Sequence, residues 1–255
     1  MKKIICLILA VCMTACLFAG CAGQPAGTSS DTDAKETLTM GTNAAFPPYE
    51  FVDDNGQIAG IDAEIAKAVA DKLGMNLEIK DMEFDSLIPA VQGGSIDIVF
   101  AGMTVTDERK ESVNFSDSYA TGVQVIIVKE GSDIATADDL EGKTIGVQSG
   151  TTGDNYCTDD YGQENVQQFS SGALAVAALV NGQIDCVVID NEPAKNFVAA
   201  NAGLKILGTE YIKEDYAAAI SKTNTDLLDK VNKAISELKA DGTIDKIIGK
   251  YISAE

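Results

Sequence analysis

Histidine is absent from all 255 residues. That absence removes histidine triads, histidine general bases and histidine metal ligands together. Cationic side chains are scarce as well: 19 Lys and Arg stand against 39 Asp and Glu, for a net charge of −20. So acidic a surface repels phosphate backbones and argues against nucleic acid as a partner, while serving solubility. Long apolar runs are also missing. Residues 4–19 are apolar apart from Thr14, but a membrane helix needs roughly 17–25 such residues. Cysteine is sparse where a fold would use it, since Cys6, Cys12 and Cys16 all fall in that run and only Cys157 and Cys186 lie beyond Cys21.

What is present at the start is a basic pair, Lys2 and Lys3, then the short apolar run, then small residues. This order describes a secretory leader over 1–20 rather than folded structure. Phe18-Ala19-Gly20-Cys21 resembles the cleavage box of bacterial lipoproteins, with Phe18 where Leu is commoner. The resemblance implies that Cys21 becomes the lipidated first residue, held at the cell membrane on the extracytoplasmic side. The alternative is an ordinary export signal with a chance cysteine. Residues 21–36 then read as a tether. They are rich in Gly, Ser, Thr, Asp and Pro without apolar periodicity, and a flexible coil of that length reaches roughly 20 Å. Export permits a disulfide between Cys157 and Cys186. Two buried thiols fit equally, and spacing alone leaves the choice open.

About 219 residues follow the tether, enough for one large domain or two lobes. Strands are predicted at 38–42, 77–80, 96–101, 123–129, 144–148, 184–190 and 204–207. Between them, Ile65, Val69 and Leu73 recur at i, i+4 and i+8 on a helix that Asp62 can cap and Gly74 stops. A helix is expected to start at Asp85 and end near Gly93, and another to run from a Ser171 cap to Leu179. The last long helix carries Leu227, Val231, Ile235 and Leu238 on one face, and 244–252 adds a short one. Gly94-Ser95-Ile96-Asp97-Ile98-Val99 is echoed by Gly182-Gln183-Ile184-Asp185-Cys186-Val187. With the restart near Thr144, the echo points to two similar α/β lobes.

Open α/β sheets bind ligands beyond the carboxyl ends of their strands. Four segments meet that condition: 43–46, 102–106, 149–152 and 190–192. Thr106 can cap a short helix carrying Arg109, whose guanidinium suits a carboxylate; a solvated charge run over 107–111 is the plainer reading. Gly150, Thr151 and Thr152 offer backbone N–H groups and hydroxyls to an oxyanion, or form an ordinary turn. Asp190 faces an ammonium or caps the next helix. Phe46 and Phe84 are core residues, or clamp an aliphatic stem. One anion site and one cation site on facing lobes fit a zwitterion such as a free α-amino acid.

Gly41-Thr42-Asn43-Ala44-Ala45-Phe46-Pro47-Pro48-Tyr49-Glu50-Phe51 resembles the opening of the amino-acid-binding proteins of bacterial ABC importers, solute-binding family 3. So do Gly60-Ile61-Asp62, Phe84-Asp85-Ser86-Leu87-Ile88-Pro89, the stretch from Ala101 to Arg109, Asn114-Phe115-Ser116-Asp117 and Asp241-Gly242-Thr243. The resemblance implies an α/β, type II periplasmic-binding-protein-like fold. Each lobe would be a central, mostly parallel sheet flanked by helices, with two hinge crossings near 122–125 and 216–219. The first lobe would combine 37–122 with 217–255, and the second would be 123–216. Arg109 would hold the ligand's α-carboxylate with Thr104 and the backbone of Ala101 and Gly102. Gly150, Thr151 and Thr152 would complete it, Asp190 would take the α-ammonium, and Phe46 and Phe84 would flank the side chain. Asn43 replaces the Asp of many relatives, and Gln148 is polar, which leans towards a neutral polar side chain such as that of glutamine. A permease partner, a monomer and no cofactor are expected. A dehydratase on the same fold, with Glu50 or Glu192 as its acid, is the alternative; the plainer roles of those two are surface charge and helix-start charge. A sensor's ligand domain is a third reading. It would need a separate membrane partner, since no apolar span follows residue 252.

Overall fold

The computed structural model describes residues 35–208 and 211–252. The expected leader, Cys21 and the tether as far as 34 lie outside the described residues. β-Branched runs and amphipathic helices alternate, and their strands assemble into two larger sheets. The first has the order Asn76–Asp81, Thr37–Thr42, Ile98–Val99, Ala219–Ser221, Val113–Phe115. The second has the order Val166–Phe169, Ile145–Gln148, Cys186–Asp190, Ala120–Lys129, Leu204–Ile206. Ile212–Tyr216 pairs with the first half of Ala120–Lys129.

Both sheets are mixed, with most strands of each running one way, as expected. In the first, four strands run one way and Ala219–Ser221 opposes them; in the second, five run one way and Ala120–Lys129 opposes them. The antiparallel members include the ends of the two segments that carry the chain between sheets, which enter against the direction set by the βα units. Those segments are bonded to one another: Ser116 N–H donates to Ala218 O at 2.9 Å and Tyr119 N–H to Tyr216 O at 2.9 Å.

The sequence echo is a structural repeat. Asp97 Oδ2 accepts from Thr39 N–H at 2.8 Å, and Asp185 Oδ2 accepts from Thr144 N–H at 2.8 Å. Each aspartate thus fastens its own loop to the start of the neighbouring parallel strand. Leu38, Met40, Ile65, Val69 and Ile98 pack against Val231, Ile235 and Leu238 of the long helix Thr225–Ala240. In the second lobe Ile126, Val128, Ile145, Val147 and Val188 enclose Cys157 and Cys186, which are free, buried thiols. The burial that makes them ordinary core residues also pushes the Cys186 thiol up to about 12.

Local departures have local causes. Helix Ile61–Leu73 begins at Gly60, and Asp62 makes no cap there. Its side chain turns inward because two donors, Gly102 N–H and Tyr119 OH, wait for it at 2.7 and 2.6 Å. The helix expected from Asp85 starts as a tighter turn, Phe84–Ser86, and becomes α-helical over Leu87–Gln92. Pro89 lies early enough in it that its missing N–H costs little. The strand expected over 96–101 is paired as a ladder only at Ile98–Val99. Among the described residues no helix is long and apolar enough to cross a membrane.

Candidate ligand site between the lobes

The carboxyl ends of the strands face a shared cavity. Its lining includes Asn43, Phe46, Phe84, Ala101, Gly102, Thr104 and Arg109 from the first lobe, and Gln148, Thr151, Thr152 and Asp190 from the second. All of these were expected from the sequence. Gly150, also expected, is not in the lining but contributes its carbonyl to Arg109.

Arg109 stands in the short helix Asp107–Ser112, which Thr106 caps by accepting from Arg109 N–H at 3.1 Å. The guanidinium spans the lobes, donating to Thr104 O at 2.8 Å and to Gly150 O at 3.0 Å. The Phe84 ring lies 5.4 Å from it, so this phenylalanine supports the cation as well as walling the cavity. Burial pushes the arginine's pKa down, and nearby Glu214 pulls it back up; a guanidinium stays charged through such a shift. Next to it, Gly102 has φ +52°, and an added Cβ would sit 3.1 Å from the Phe46 ring. Glycine is therefore required where the backbone of 101–104 approaches the cavity.

Asp190 ends strand Cys186–Asp190 and precedes helix Asn191–Ala200, yet its side chain makes no cap bond. Its Oδ2 accepts from Gln124 Nε2 at 2.7 Å, and its Oδ1 accepts from the Tyr216 hydroxyl. Burial raises its pKa to about 7, with the Tyr216 and Gln124 hydrogen bonds resisting and Glu214 adding to the rise. A buried carboxylate so placed is one ammonium short of charge balance.

The trio at 150–152 divides its work differently from the expectation. Gly150 N–H donates to Asp154 Oδ2 at 3.0 Å. Thr151 caps helix Thr152–Tyr161 and donates its hydroxyl to Gln148 O at 2.8 Å. Both are occupied by the turn, and among the described residues no hydrogen bond to the Thr152 hydroxyl is seen, so Thr152 is the member whose hydroxyl stays available to a ligand. Asn43 and Gln148 also meet each other: Gln148 Nε2 donates to Asn43 Oδ1 at 2.9 Å across the lobes. Asn43 Nδ2 donates to Met82 O at 2.9 Å. Part of the polarity that leaned towards a neutral ligand is therefore spent on the seam.

Three polar residues, Gln124, Glu214 and Tyr216, escaped the sequence reading, and Glu50 was misplaced by it. Glu50 is 1% exposed and lines the cavity, so its expected role as surface charge is overturned. The strand Glu50–Val52 turns its first residue inward. Glu214 Oε2 accepts from Thr104 Oγ1 at 3.1 Å and Gln124 Nε2 at 3.0 Å, and its Oε1 accepts from Tyr156 OH at 3.1 Å. Gln124, Glu214 and Tyr216 thus tie both crossing strands to Asp190. The signal for the last two was a period of two: Glu214 and Tyr216 are the buried residues of Ile212–Tyr216. Glu192, by contrast, stays in the first turn of its helix and pairs with Lys195 at 3.0 Å, the helix-start charge that was expected.

The model of the bacterial extracellular solute-binding proteins, family 3, matches residues 38–254. The chain belongs to that family. This solute-binding protein is 34% identical over 260 residues to the arginine-binding extracellular protein ArtP of Bacillus subtilis strain 168, covering 100% of both chains. Among solved structures it is similar to an ancestral arginine-binding protein bound to glutamine, with TM-score 0.82, 45% identity, and 86% of this chain and 99% of that one covered. An ancestral arginine-binding protein bound to arginine matches with TM-score 0.81, 46% identity, and 86% and 100% coverage. The two-lobe, type II binding-protein architecture is thereby established for this chain.

Proposed function

We propose that this protein captures a free α-amino acid between its lobes and hands it to the permease of an ABC importer. One observation carries the reading. A buried guanidinium, Arg109, and a buried carboxylate, Asp190, belong to different lobes and line one cavity. The α-carboxylate of the ligand pairs with Arg109, assisted by Thr104, the backbone at Ala101 and Gly102, and Thr152. Its α-ammonium pairs with Asp190. Phe46 and Phe84 flank the side chain. Closure excludes water, and both charged contacts strengthen as the local dielectric falls. Relatives named for arginine, and an ancestral structure holding glutamine, support a polar side chain on the ligand. None of these relatives is named for a dehydratase.

In the same reading, residues 1–20 direct export and Cys21 carries the lipid. The protein works as a monomer on the outer face of the membrane, with 21–36 as its tether. Metabolic labelling with a palmitate analogue tests this, and label retained after Cys21→Ala would overturn it. The binding role is tested by a thermal-shift screen of the twenty amino acids followed by calorimetry. Arg109→Ala is expected to weaken the best ligand by roughly 2–5 kcal/mol, about 30-fold or more, through the unpaired carboxylate it leaves. Unchanged affinity for every ligand bound would remove Arg109 from the role.

A further inference from the structure

Beneath the cavity lies a pair of carboxyl groups that the α-amino-acid reading leaves unused. Glu50 is 1% exposed and Asp62 is 0% exposed. Asp62 Oδ2 is fully engaged, accepting from Gly102 N–H at 2.7 Å and Tyr119 OH at 2.6 Å. Asp62 Oδ1 and Glu50 Oε2 are both buried with no donor among the described residues. Two ionised carboxyls facing each other in a dry site are untenable, and one proton between them satisfies both orphaned oxygens. The groups facing Glu50 add no relief. Asp62 comes from the first turn of its helix, Asp190 from the opposite lobe and Asp81 from the end of a neighbouring strand, and all disfavour its ionisation. Tyr49 and Tyr119 stand beside the pair as neutral phenols whose own ionisation these carboxyls disfavour. Burial is the first cause of the rise in Glu50, and the hydrogen bond with Asp62 contributes.

Of the two carboxyls only Glu50 lines the cavity. We propose that Glu50 is the residue that selects the ligand's side-chain class: a cationic side chain displaces the proton that Glu50 shares with Asp62, and a neutral one does not. The exchange balances. Glu50 gives its proton to solvent, the pair becomes a dianion, and the ligand's cation enters beside it. This rests on the proposed amino-acid site and adds the substrate class to it.

The test is calorimetry of the full chain with arginine and with citrulline, its neutral isostere, in buffers of different ionisation enthalpy. Work at about pH 8 keeps Asp190 ionised in advance, so its own titration cancels between the ligands. Arginine is expected to release about one proton more than citrulline. Glu50→Gln is expected to abolish that difference and to lower the arginine-over-citrulline preference about tenfold or more. Equal proton release for the two ligands in the wild-type protein overturns the proposal while leaving the amino-acid site standing. So does a wild-type protein that binds citrulline or glutamine but not arginine. Failure of the wild-type protein to bind any amino acid overturns both. If Glu50→Gln does not fold, the wild-type comparison decides alone.

Discussion

Asp190 illustrates a conflict between stability and function held in one side chain. Its pKa is raised from 3.8 to about 7, chiefly by burial. The folded state therefore keeps a proton that the unfolded state gives up. The resulting contribution to stability is fully present below about pH 3.8, declines as pH rises, and is lost above about 7. Asp62, raised to about 6 by the same cause, acts in the same direction. Ligand capture has the opposite sign, because an ammonium needs the ionised carboxylate. Without ligand, melting between about pH 5 and 8 should show stability falling with pH by up to roughly 1.4 kcal/mol per unit for each such group. Asp190→Asn should remove its own share of that slope, leaving the share of Asp62, and abolish amino-acid binding. An unaltered slope in the variant would show that Asp190 does not titrate in this window.

At the scale of the element, the helix Asp107–Ser112 is six residues long, and its side-chain cap bond comes from Thr106. Such a helix has little intrinsic stability, yet it carries the guanidinium of the site. Thr106→Ala should cost about 1 kcal/mol of stability by leaving Arg109 N–H without its partner. It should also weaken binding, since Arg109 loses its anchor. Chemical denaturation and calorimetry on one preparation check both effects. A stability loss with affinity unchanged would mean that the Thr104 and Gly150 carbonyls position Arg109 without the cap. A second local device is Gly122 on the crossing strand. An added Cβ there would strike the Tyr216 hydroxyl and Asp190 Oδ1, so the small residue is what lets the strand pass close behind the ammonium site.

At the scale of the whole molecule, the lobes are joined across the cavity by bonds that exist only when they are closed. Gln148 Nε2 to Asn43 Oδ1 at 2.9 Å and Arg109 to Gly150 O at 3.0 Å are two of them. Gln148→Ala removes the first without touching the charged pair. A net contribution of about 1 kcal/mol for such a bond corresponds to roughly fivefold in the closing equilibrium. Small-angle scattering at half-saturating ligand should therefore report a larger radius of gyration for the variant and a weaker apparent affinity. Identical curves for the two proteins would show that the seam contributes nothing to closure.

Most of the site was legible because it is built from strand ends, where chain order alone says which segments converge. Thr106 and Ser171 were readable as caps because capping is a local event, decided within three residues. The repeat at 94–99 and 182–187 was readable because the same loop geometry calls for the same residues twice. What the sequence did not disclose depends on partners far along the chain. Asp62 follows helix grammar as a cap but is turned inward by Gly102 and Tyr119, 40 and 57 residues away. Glu50 reads as surface charge until the helix bearing Asp62 packs behind it. Glu214 and Gln124 become site residues only when the crossing strands pair over a separation of 90 residues. Local propensity and periodicity thus determined the elements and their order, and strand-end placement brought Arg109 and Asp190 to one cavity. Which polar groups lost their water, and what they found instead, was decided by long-range packing, because desolvation is a property of the assembled neighbourhood and not of any stretch of chain.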